Sequence, residues 1–210
     1  MKVIPSKREL NKAKKKASLI DAAERLFIQK GFENTSIDEV AKEAGLTKRT
    51  LYQYFLSKED LFYAVALKGA RQLFSIYEDA MSKGDNALEK IRLGNKVHLQ
   101  FYTDNLGMFR LLNYRPANQK NSEASPHYRE LVVLDSIRMK YYMELSAECK
   151  SDGSINTNLD ITKAVFFAFF SAFSLLYTVS SLNMWDKLEL NENEFLRFSF
   201  DLLADAIKHR

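Results

Sequence analysis

The sequence predicts an all-α protein, with a small N-terminal helix-turn-helix domain of three helices followed by a larger helical domain. Two observations lead to this fold class. Helix breakers are scarce, since the 210 residues include 7 Gly and 3 Pro. Long segments also carry apolar residues at helical rather than alternating spacing. We expect about nine helices, with residues 1–56 forming the first domain and residues 57–210 the second.

The composition excludes several classes of site. A single cysteine, Cys149, rules out an intrachain disulfide, and the three histidines stand too far apart in the sequence to suggest a metal-ligand cluster. The N-terminal segment is basic but lacks the apolar stretch of a signal peptide. We therefore expect no metal, no cofactor and a cytoplasmic location.

The positive charge is concentrated at the N-terminal end. Residues 1–62 contain 13 Lys and Arg against 9 Asp and Glu, whereas residues 63–210 contain 18 of each. Residues 1–16 alone hold seven cations and one acid, Glu9. Such a basic arm beside a compact domain is typical of a protein that binds a polyanion. A solvated, disordered tail explains the arm equally well.

The first helices can be placed from their start and stop signals. Apolar residues at helical spacing predict a first helix over about Lys14–Lys30, which ends at Gly31. Ser36, or Thr35 before it, is a natural N-cap for a second helix to about Ala44. Glu39 lies three residues after Ser36, as in a capping box.

A tight turn then leads into the third helix. Gly45 stands where the chain needs a residue that tolerates positive φ, and Leu46 anchors the turn. The third helix is predicted from about Thr47 to Phe55. The small Ala41 suits the point where the two helices cross, so the segment reads as a helix-turn-helix, whose second helix enters the major groove of DNA.

The outward positions of the third helix carry groups that suit DNA. Lys48 is a point charge for a phosphate, and the Thr and Tyr hydroxyls suit phosphate oxygens. Arg49 can pair with guanine, and Gln53 with adenine. The basic arm is expected to add nonspecific affinity through Lys7, Arg8, Lys12, Lys14, Lys15 and Lys16.

The segment Ala22–Phe62 resembles the DNA-binding domain of the TetR family of bacterial transcriptional regulators. The motif pieces that carry the resemblance are Leu26–Phe27, Gly31–Phe32, Thr35, Ile37, Ala41, Ala44–Gly45, Leu51–Tyr52, Tyr54–Phe55, Lys58 and Leu61–Phe62. The resemblance implies that Thr35, Thr47, Tyr52 and Lys58 hold phosphates. It also implies that Lys48, Arg49, Thr50, Gln53 and Tyr54 lie at or near base edges. We include Ser36 among the expected DNA-binding residues.

The rest of the chain continues as helices separated by polar loops. A fourth helix starts at about Ser57 and ends before residues 83–86. Five more are predicted at about Ala87–Asp104, Leu106–Asn113, Pro126–Lys150, Leu159–Leu182 and Glu192–Lys208. Arg115–Pro126 and Ser151–Asn158 have the composition of loops.

The eighth helix contains an uncharged run, Ala164–Trp185, whose 22 residues could span a bilayer. Interspersed Ser and Thr residues and the lack of a basic bias in its flanks favour burial inside a protein instead.

Burial of the eighth helix on all sides requires two sets of partners. We expect one face to enter the core of its own domain through Phe166, Phe169, Phe170, Phe173 and Tyr177. The opposite face would meet a second subunit through Ala168, Ala172, Leu175 and Val179, together with Phe195, Phe198 and Leu202 of the last helix.

The larger domain is rich in aromatic residues and methionine. Most of these side chains are expected to pack in the core, but the TetR resemblance implies that this region also encloses an effector pocket. The expected ligand-binding residues are His98, Phe101, Tyr102, Asn105, Phe109, Tyr142, Phe170 and Trp185. Because no acid or cation is clearly committed to a charged ligand, we expect a hydrophobic or aromatic small molecule.

These observations favour a regulator over an enzyme, since no nucleophile–base pair or glycine-rich phosphate loop is arranged credibly. We expect a homodimer that binds a palindromic double-stranded DNA operator and is released by its effector, with repression the commoner role in the family. Two alternatives stay open at this point: a constitutive DNA-binding protein without an effector, and a regulator anchored in a membrane by Ala164–Trp185.

Overall fold

A computed structural model of the chain describes residues 6–117, 122–156, 158–181, 185 and 189–208. Nine α-helices and one 3₁₀ turn, Ser122–Ala124, lie within these residues. The helices are α1 (Lys7–Lys30), α2 (Ile37–Glu43), α3 (Lys48–Leu51), α4 (Lys58–Met81), α5 (Ala87–Asp104), α6 (Leu106–Asn113), α7 (Pro126–Asp152), α8 (Ile161–Ser181) and α9 (Glu192–Ile207). The all-α prediction is confirmed.

Two helix bounds differ clearly from the sequence prediction. Helix α1 begins at Lys7 rather than Lys14, because Ser6 and Glu9 form a capping box that starts the helix earlier. The cations of the predicted arm from Lys7 to Lys15 are therefore exposed positions of α1, and Lys16 is half-buried. Helix α3 ends at Leu51 rather than Phe55. The predicted end of the eighth helix at Leu182 lies outside the described residues.

The first compact unit comprises residues 1–69 and 114–132. An aromatic group forms much of its core, in which the ring of Phe32 lies 5.5 Å from Phe27 and 5.2 Å from Phe62. Tyr114 adds a fourth ring, 5.7 Å from Phe32 and 5.6 Å from Phe62. This unit extends past residue 56, and the domain boundary drawn from the sequence stays a prediction.

The turn between α2 and α3 is fixed by backbone hydrogen bonds. The Leu46 amide donates to the Ala41 carbonyl at 2.8 Å, and the Gly45 amide donates to the Lys42 carbonyl at 3.0 Å. These are the two bonds of a Schellman motif, and Gly45 has the required φ of +67°. Ala41 is 2% exposed. The small side chain and the turn together set how α3 leaves α2.

A buried carboxylate links α4 to the start of α7 within the same unit. Asp60 is 2% exposed and accepts hydrogen bonds from Ser125 Oγ at 2.6 Å, His127 Nδ1 at 2.7 Å and the Leu56 amide at 2.9 Å. Burial alone would raise the pKa of Asp60. The hydrogen bonds from His127, Ser125 and Leu56 outweigh burial and hold that pKa below its usual value.

The second compact unit comprises residues 70–113 and 133–210. Helix α8 packs against α5, α6 and α9. It is long and apolar enough to span a membrane, with a mean hydropathy of 1.7. Buried residues recur along its whole length, however, as in the core helix of a soluble protein.

The predicted faces of α8 are wrong in part. Ala168 and Ala172 are 0% exposed and Val179 is 2% exposed, so these three side chains lie in the core of their own subunit rather than at a partner. Their small size allows neighbouring helices to approach closely. Phe169 is buried as predicted, but Phe170 and Tyr177 are 51% and 50% exposed. Leu175 is half-buried.

Helices α4 and α5 approach closely at a glycine. A Cβ atom on Gly94 would lie 2.8 Å from Tyr77 Oη and 2.9 Å from two carbons of the Tyr77 ring. Tyr77 is 3% exposed, so its ring has little freedom to move. Only glycine permits this contact without a shift.

Replacing Gly94 with alanine should therefore destabilise the protein. Helix propensity alone predicts a gain of about 1 kcal/mol, whereas overpacking against Tyr77 predicts a loss of about 1–3 kcal/mol. Urea denaturation followed by circular dichroism measures the sign directly. A more stable Gly94→Ala variant would contradict the close contact.

The Asp60 network should contribute to stability in a pH-dependent way. Asp60→Asn replaces one of the two accepting oxygens with an NH2 group, so either the Leu56 amide or the donors of Ser125 and His127 lose their acceptor, which should cost about 1–3 kcal/mol at neutral pH. Because the pKa of Asp60 is lowered in the folded state, wild type loses this contribution as pH falls below about 4, through the folded pKa. The difference between wild type and variant should then shrink.

The matched control for this experiment is Asp21→Asn, which removes an exposed carboxylate paired with Lys68 at 2.7 Å. Denaturation curves at neutral and acidic pH should show little effect of the control at either value. A loss in Asp60→Asn that stayed constant with pH would contradict the assigned role of the carboxylate.

Candidate nucleic-acid interface and ligand-binding core

Helix α3 is a single short turn whose first residues are fixed by a hydroxyl cap. Thr47 Oγ1 accepts a hydrogen bond from the Thr50 amide at 3.2 Å, and the two threonine hydroxyls lie 2.9 Å apart. Leu51 is fully buried and Phe55 is 1% exposed, which anchors the other side of the segment. The polar face of α3 is thereby turned outward.

The predicted DNA contacts on this face are mostly exposed. Arg49 and Gln53 are exposed, Tyr52 is 49% exposed, and Tyr54 is half-buried. A face of this kind can donate to phosphate oxygens and to base edges.

Lys48 carries an ion pair that the sequence analysis missed. Its Nζ lies 2.8 Å from Asp38 Oδ2 of α2, and this hydrogen bond raises the pKa of Lys48. Both side chains are more than half exposed. Asp38 therefore places a negative charge directly beside the surface expected to meet phosphates, and Lys48 is already engaged in an ion pair.

Thr35 does not fit its predicted role. Its side chain is 2% exposed, and its hydroxyl donates inward to the carbonyls of Gly31 at 2.8 Å and Leu26 at 3.3 Å. Thr35 thus fixes the link between α1 and α2 and leaves no hydroxyl for a phosphate. Ser36 is exposed and forms the predicted capping box with Glu39.

Lys58 lies at the start of α4 and is held by the α1–α2 connection. Its Nζ donates to the Glu33 carbonyl at 3.2 Å and lies 4.3 Å from the centre of the Phe32 ring. The cation is half-buried rather than fully extended into solvent. The cations of α1 from Lys7 to Lys15 are exposed and surround this unit with positive charge.

Five of the predicted ligand-binding residues lie inside the second unit. His98, Phe101, Tyr102, Phe109 and Tyr142 are each at most 5% exposed. Rings of this group touch across helices, since Tyr102 and Phe109 lie 5.2 Å apart and both Phe109 and His98 lie near Phe173. The Tyr102 hydroxyl donates to Glu192 at 2.5 Å, so it is already engaged in joining α5 to α9.

The other three predicted ligand-binding residues lie elsewhere. Asn105 ends α5, where its amide donates to the Phe101 carbonyl. Phe170 is an outward residue of α8 whose prediction as a pocket residue is wrong, because half of the side chain faces solvent. Trp185 is half-buried, and its ring lies 5.5 Å from Phe195.

The interior also contains polar residues that sequence reasoning did not single out. Among the described residues, Tyr77 Oη, Arg138 Nε and both amide atoms of Asn95 are buried without a hydrogen-bond partner, as is Nδ1 of His98. No pattern in the sequence distinguishes these residues from ordinary polar positions of amphipathic helices. Asn95 lies toward a groove of about 940 Å³ lined by α5 and α9.

An apolar stripe runs along the outer surface of α8 and α9. We define the outer stripe as Phe167, Phe170 and Tyr177 of α8 with Phe198 and Leu202 of α9. Each of these side chains is between 50% and 65% exposed. Phe167, Phe170, Ser174 and Tyr177 follow alternating spacings of three and four, which is the spacing of a helix–helix seam. Large exposed apolar side chains of this kind are typical of a site of association.

The sequence matches the profile of a protein family described as "Bacterial regulatory proteins, tetR family" over residues 19–65. This segment covers α2, α3 and the adjoining parts of α1 and α4.

Similar proteins include the fatty acid metabolism regulator protein of Bacillus subtilis, which is 28% identical over 159 residues, 73% of this chain and 77% of that protein. The HTH-type transcriptional activator FasR of Mycolicibacterium smegmatis is 27% identical over 103 residues, 49% of this chain. That match spans 47% of FasR, about half its length.

Solved structures share the fold over nearly the whole chain. The ketosteroid transcriptional regulator KstR2 of Mycobacterium tuberculosis has a TM-score of 0.68 at 15% identity and covers 93% of this chain and 95% of its own. The fatty acid degradation regulator FadR of Bacillus halodurans has a TM-score of 0.68 at 19% identity, with 93% and 97% covered.

Removing the charge of Asp38 should strengthen DNA binding. Asp38→Asn frees Lys48 and removes a negative charge beside the phosphates, so we expect about two- to fivefold tighter binding to a random-sequence duplex at low salt. Fluorescence anisotropy measures this affinity.

The matched control is Asp79→Asn, which makes the same change in net charge at an exposed residue of α4 paired with Lys83 at 2.7 Å. An equal gain in both variants would show that net charge alone acts and that the Asp38–Lys48 pair is irrelevant.

Proposed function

This chain belongs to the TetR family of bacterial regulatory proteins, and from that premise we propose that it is a homodimeric, ligand-responsive repressor of transcription. The dimer binds a palindromic DNA operator with one α3 in each half-site. A small hydrophobic or aromatic molecule held by the second unit releases it. The observation that carries the proposal is the outward polar face of α3, anchored by Leu51 and the α2–α3 turn.

We assign the DNA contacts by exposure and chemistry. Arg49 of α3 and Gln53 in the turn after α3 are exposed and take the base edges, where Arg suits guanine and Gln suits adenine. Tyr52 and Lys58 serve phosphates, and Lys48 joins them when its pair with Asp38 opens. The remaining assigned contacts are Ser36, Thr47, Thr50 and Tyr54. Thr35 is left out because its hydroxyl is buried.

The outer stripe supports dimerisation. A homodimer that buries this surface twice, once from each subunit, removes these rings from water. Phe198 is the most exposed member at 65%. A dimer binds two half-sites together, so one short recognition helix in each subunit is sufficient for useful operator affinity.

The aromatic interior of the second unit supports a hydrophobic effector. The names of similar proteins refer to fatty acids and a ketosteroid, which are apolar molecules. One similar protein is described as an activator. Binding to DNA is common to activators and repressors, so a DNA-binding measurement alone does not test the proposed repression. We expect the protein to act in the cytoplasm, where the chromosome is accessible, and to have no enzymatic activity.

The operator can be obtained by selecting duplexes from a randomised library with the full-length protein. We expect a palindromic consensus and a complex that contains two copies of the 24.3 kDa chain. Light scattering after size-exclusion chromatography gives the mass. A consensus without two-fold symmetry, or a single chain on the DNA, would exclude the proposed mode of binding.

A charged substitution in the outer stripe should prevent dimerisation without unfolding the protein. Phe198→Glu places a charge at the most exposed position of the outer stripe and should give a folded monomer. We expect the loss of one half-site to weaken operator binding at least about tenfold. Ile76→Glu, a similar change at a 43% exposed residue of α4, is the control. A dimeric Phe198→Glu variant with full affinity would move the interface elsewhere.

A further inference from the structure

Three polar side chains of the second unit act on one another beside its aromatic rings. Tyr77 comes from α4, His98 from α5 and Arg138 from α7. The rings of Tyr77 and His98 lie 5.1 Å apart, and the positive charge of Arg138 acts on both residues. Gly94 allows the Tyr77 hydroxyl to lie against α5 one turn before His98. Side chains from three helices are thus close enough to influence one another.

Each of these residues has an unused hydrogen-bonding atom. Among the described residues, Tyr77 Oη, His98 Nδ1 and Arg138 Nε are buried and form no hydrogen bond of good geometry, although the hydroxyls of Tyr77 and Tyr142 lie close enough to shift each other's pKa. Tyr77 and His98 are 3% and 5% exposed as whole residues, whereas the side chain of Arg138 is 37% exposed and only its Nε lies buried. A buried polar atom without a partner destabilises a fold by about 1–3 kcal/mol. Three together indicate that a further molecule completes the hydrogen bonding.

The unused atoms match a group that accepts hydrogen bonds. The Arg138 Nε–H can only donate, and its Nη2 is already paired with Asp135 at 2.9 Å. The Tyr77 hydroxyl can donate, and so can His98 Nδ1 in the matching tautomer. Burial and the charge of Arg138 lower the pKa of His98 to about 4, so its ring is neutral at pH 7. One arginine with two neutral donors suits a single negative charge.

The rest of the surroundings is apolar and aromatic. Phe169 lies 6.0 Å from Tyr77 and stacks on Tyr142 at 4.2 Å between centroids. Phe173 lies 6.5 Å from His98. These rings carry no charge and would not bind the body of a polar ligand. They suit a hydrocarbon or aromatic body attached to the accepting group.

We propose that Tyr77, His98 and Arg138 bind the carboxylate of an apolar organic acid, whose body lies among Phe169, Phe173 and Tyr142. This inference rests on the proposed function as a ligand-responsive regulator and names the chemical class of the effector. Both carboxylate oxygens accept from these donors, which a neutral ester or alcohol does less well.

Calorimetry on the full-length wild type tests the proposal without any variant. The probes are decanoate as a long acid and 2-naphthoate as a compact acid, each compared with its methyl ester and with the corresponding alcohol. We expect at least one acid to bind about tenfold more tightly than its ester and alcohol. Equal affinities within both series, or no binding by either acid, would overturn the carboxylate assignment.

Variants then locate the site. Arg138→Gln and His98→Phe should each weaken binding of the preferred acid about tenfold and leave the ester almost unchanged. Lys140→Gln makes the same charge change as Arg138→Gln on α7 but at an exposed side chain, and it should bind the acid normally. Equal losses in Lys140→Gln and Arg138→Gln would show that net charge, rather than this receptor, attracts the acid.

DNA binding separates this inference from the proposed function. If the protein selects an operator but does not discriminate acids from esters, only the carboxylate receptor fails. If calorimetry shows the acid preference but no sequence-specific DNA binding is found, the receptor stands and the proposed function fails. Thermal unfolding of each variant confirms that a lost affinity does not come from a lost fold.

Discussion

The second unit depends on covering one uncharged helix. Helix α8 contains no charged residue between Ala164 and Ser181, so water cannot surround it without a large free-energy penalty. Its small residues Ala168 and Ala172 let α5 and α9 approach closely, and Phe169 fills the space toward α7 through Tyr142. What this packing leaves uncovered is the outer stripe. The apolar requirement of a single helix therefore accounts for both the core and the proposed dimer.

The first unit is subject to a different requirement, because it must expose polar groups while keeping a short helix rigid. Helix α3 has only four residues and cannot hold its shape through its own backbone bonds. The Thr47 cap, the turn at Gly45 and the buried side chains of Leu51 and Phe55 provide the missing rigidity. Rigidity matters here because direct readout of base edges requires donors at fixed positions.

Much of this architecture could be predicted from local signals. The bounds of α5 and α6 follow from caps and periodicity, and the Ser36–Glu39 box follows from residue spacing. The faces of α8 could not be assigned, because a helix that is apolar all round gives no amphipathic signal. The burial of Thr35 could not be predicted either. Its hydroxyl donates to the carbonyls of Leu26 and Gly31, and the residues next to Thr35 in the sequence do not reveal these hydrogen bonds. Side chains that pair with residues distant in the sequence, such as Asp38 with Lys48 and Asp60 with His127, produce no periodic pattern from which the pair could be predicted.

Two helices connect the residues that carry the proposals. Helix α4 contains Asp60 and Tyr77, and α7 contains His127 and Arg138. The hydrogen bond between Asp60 and His127 joins the first turns of these helices beside Phe55, at the end of the helix-turn-helix. A carboxylate that binds Tyr77 and Arg138 together therefore acts on both helices at once. Coupling requires that the ligand bind one arrangement of the helices more tightly than another. Helices α4 and α7 each contain residues of both compact units, so we expect any such coupling to pass along these two helices.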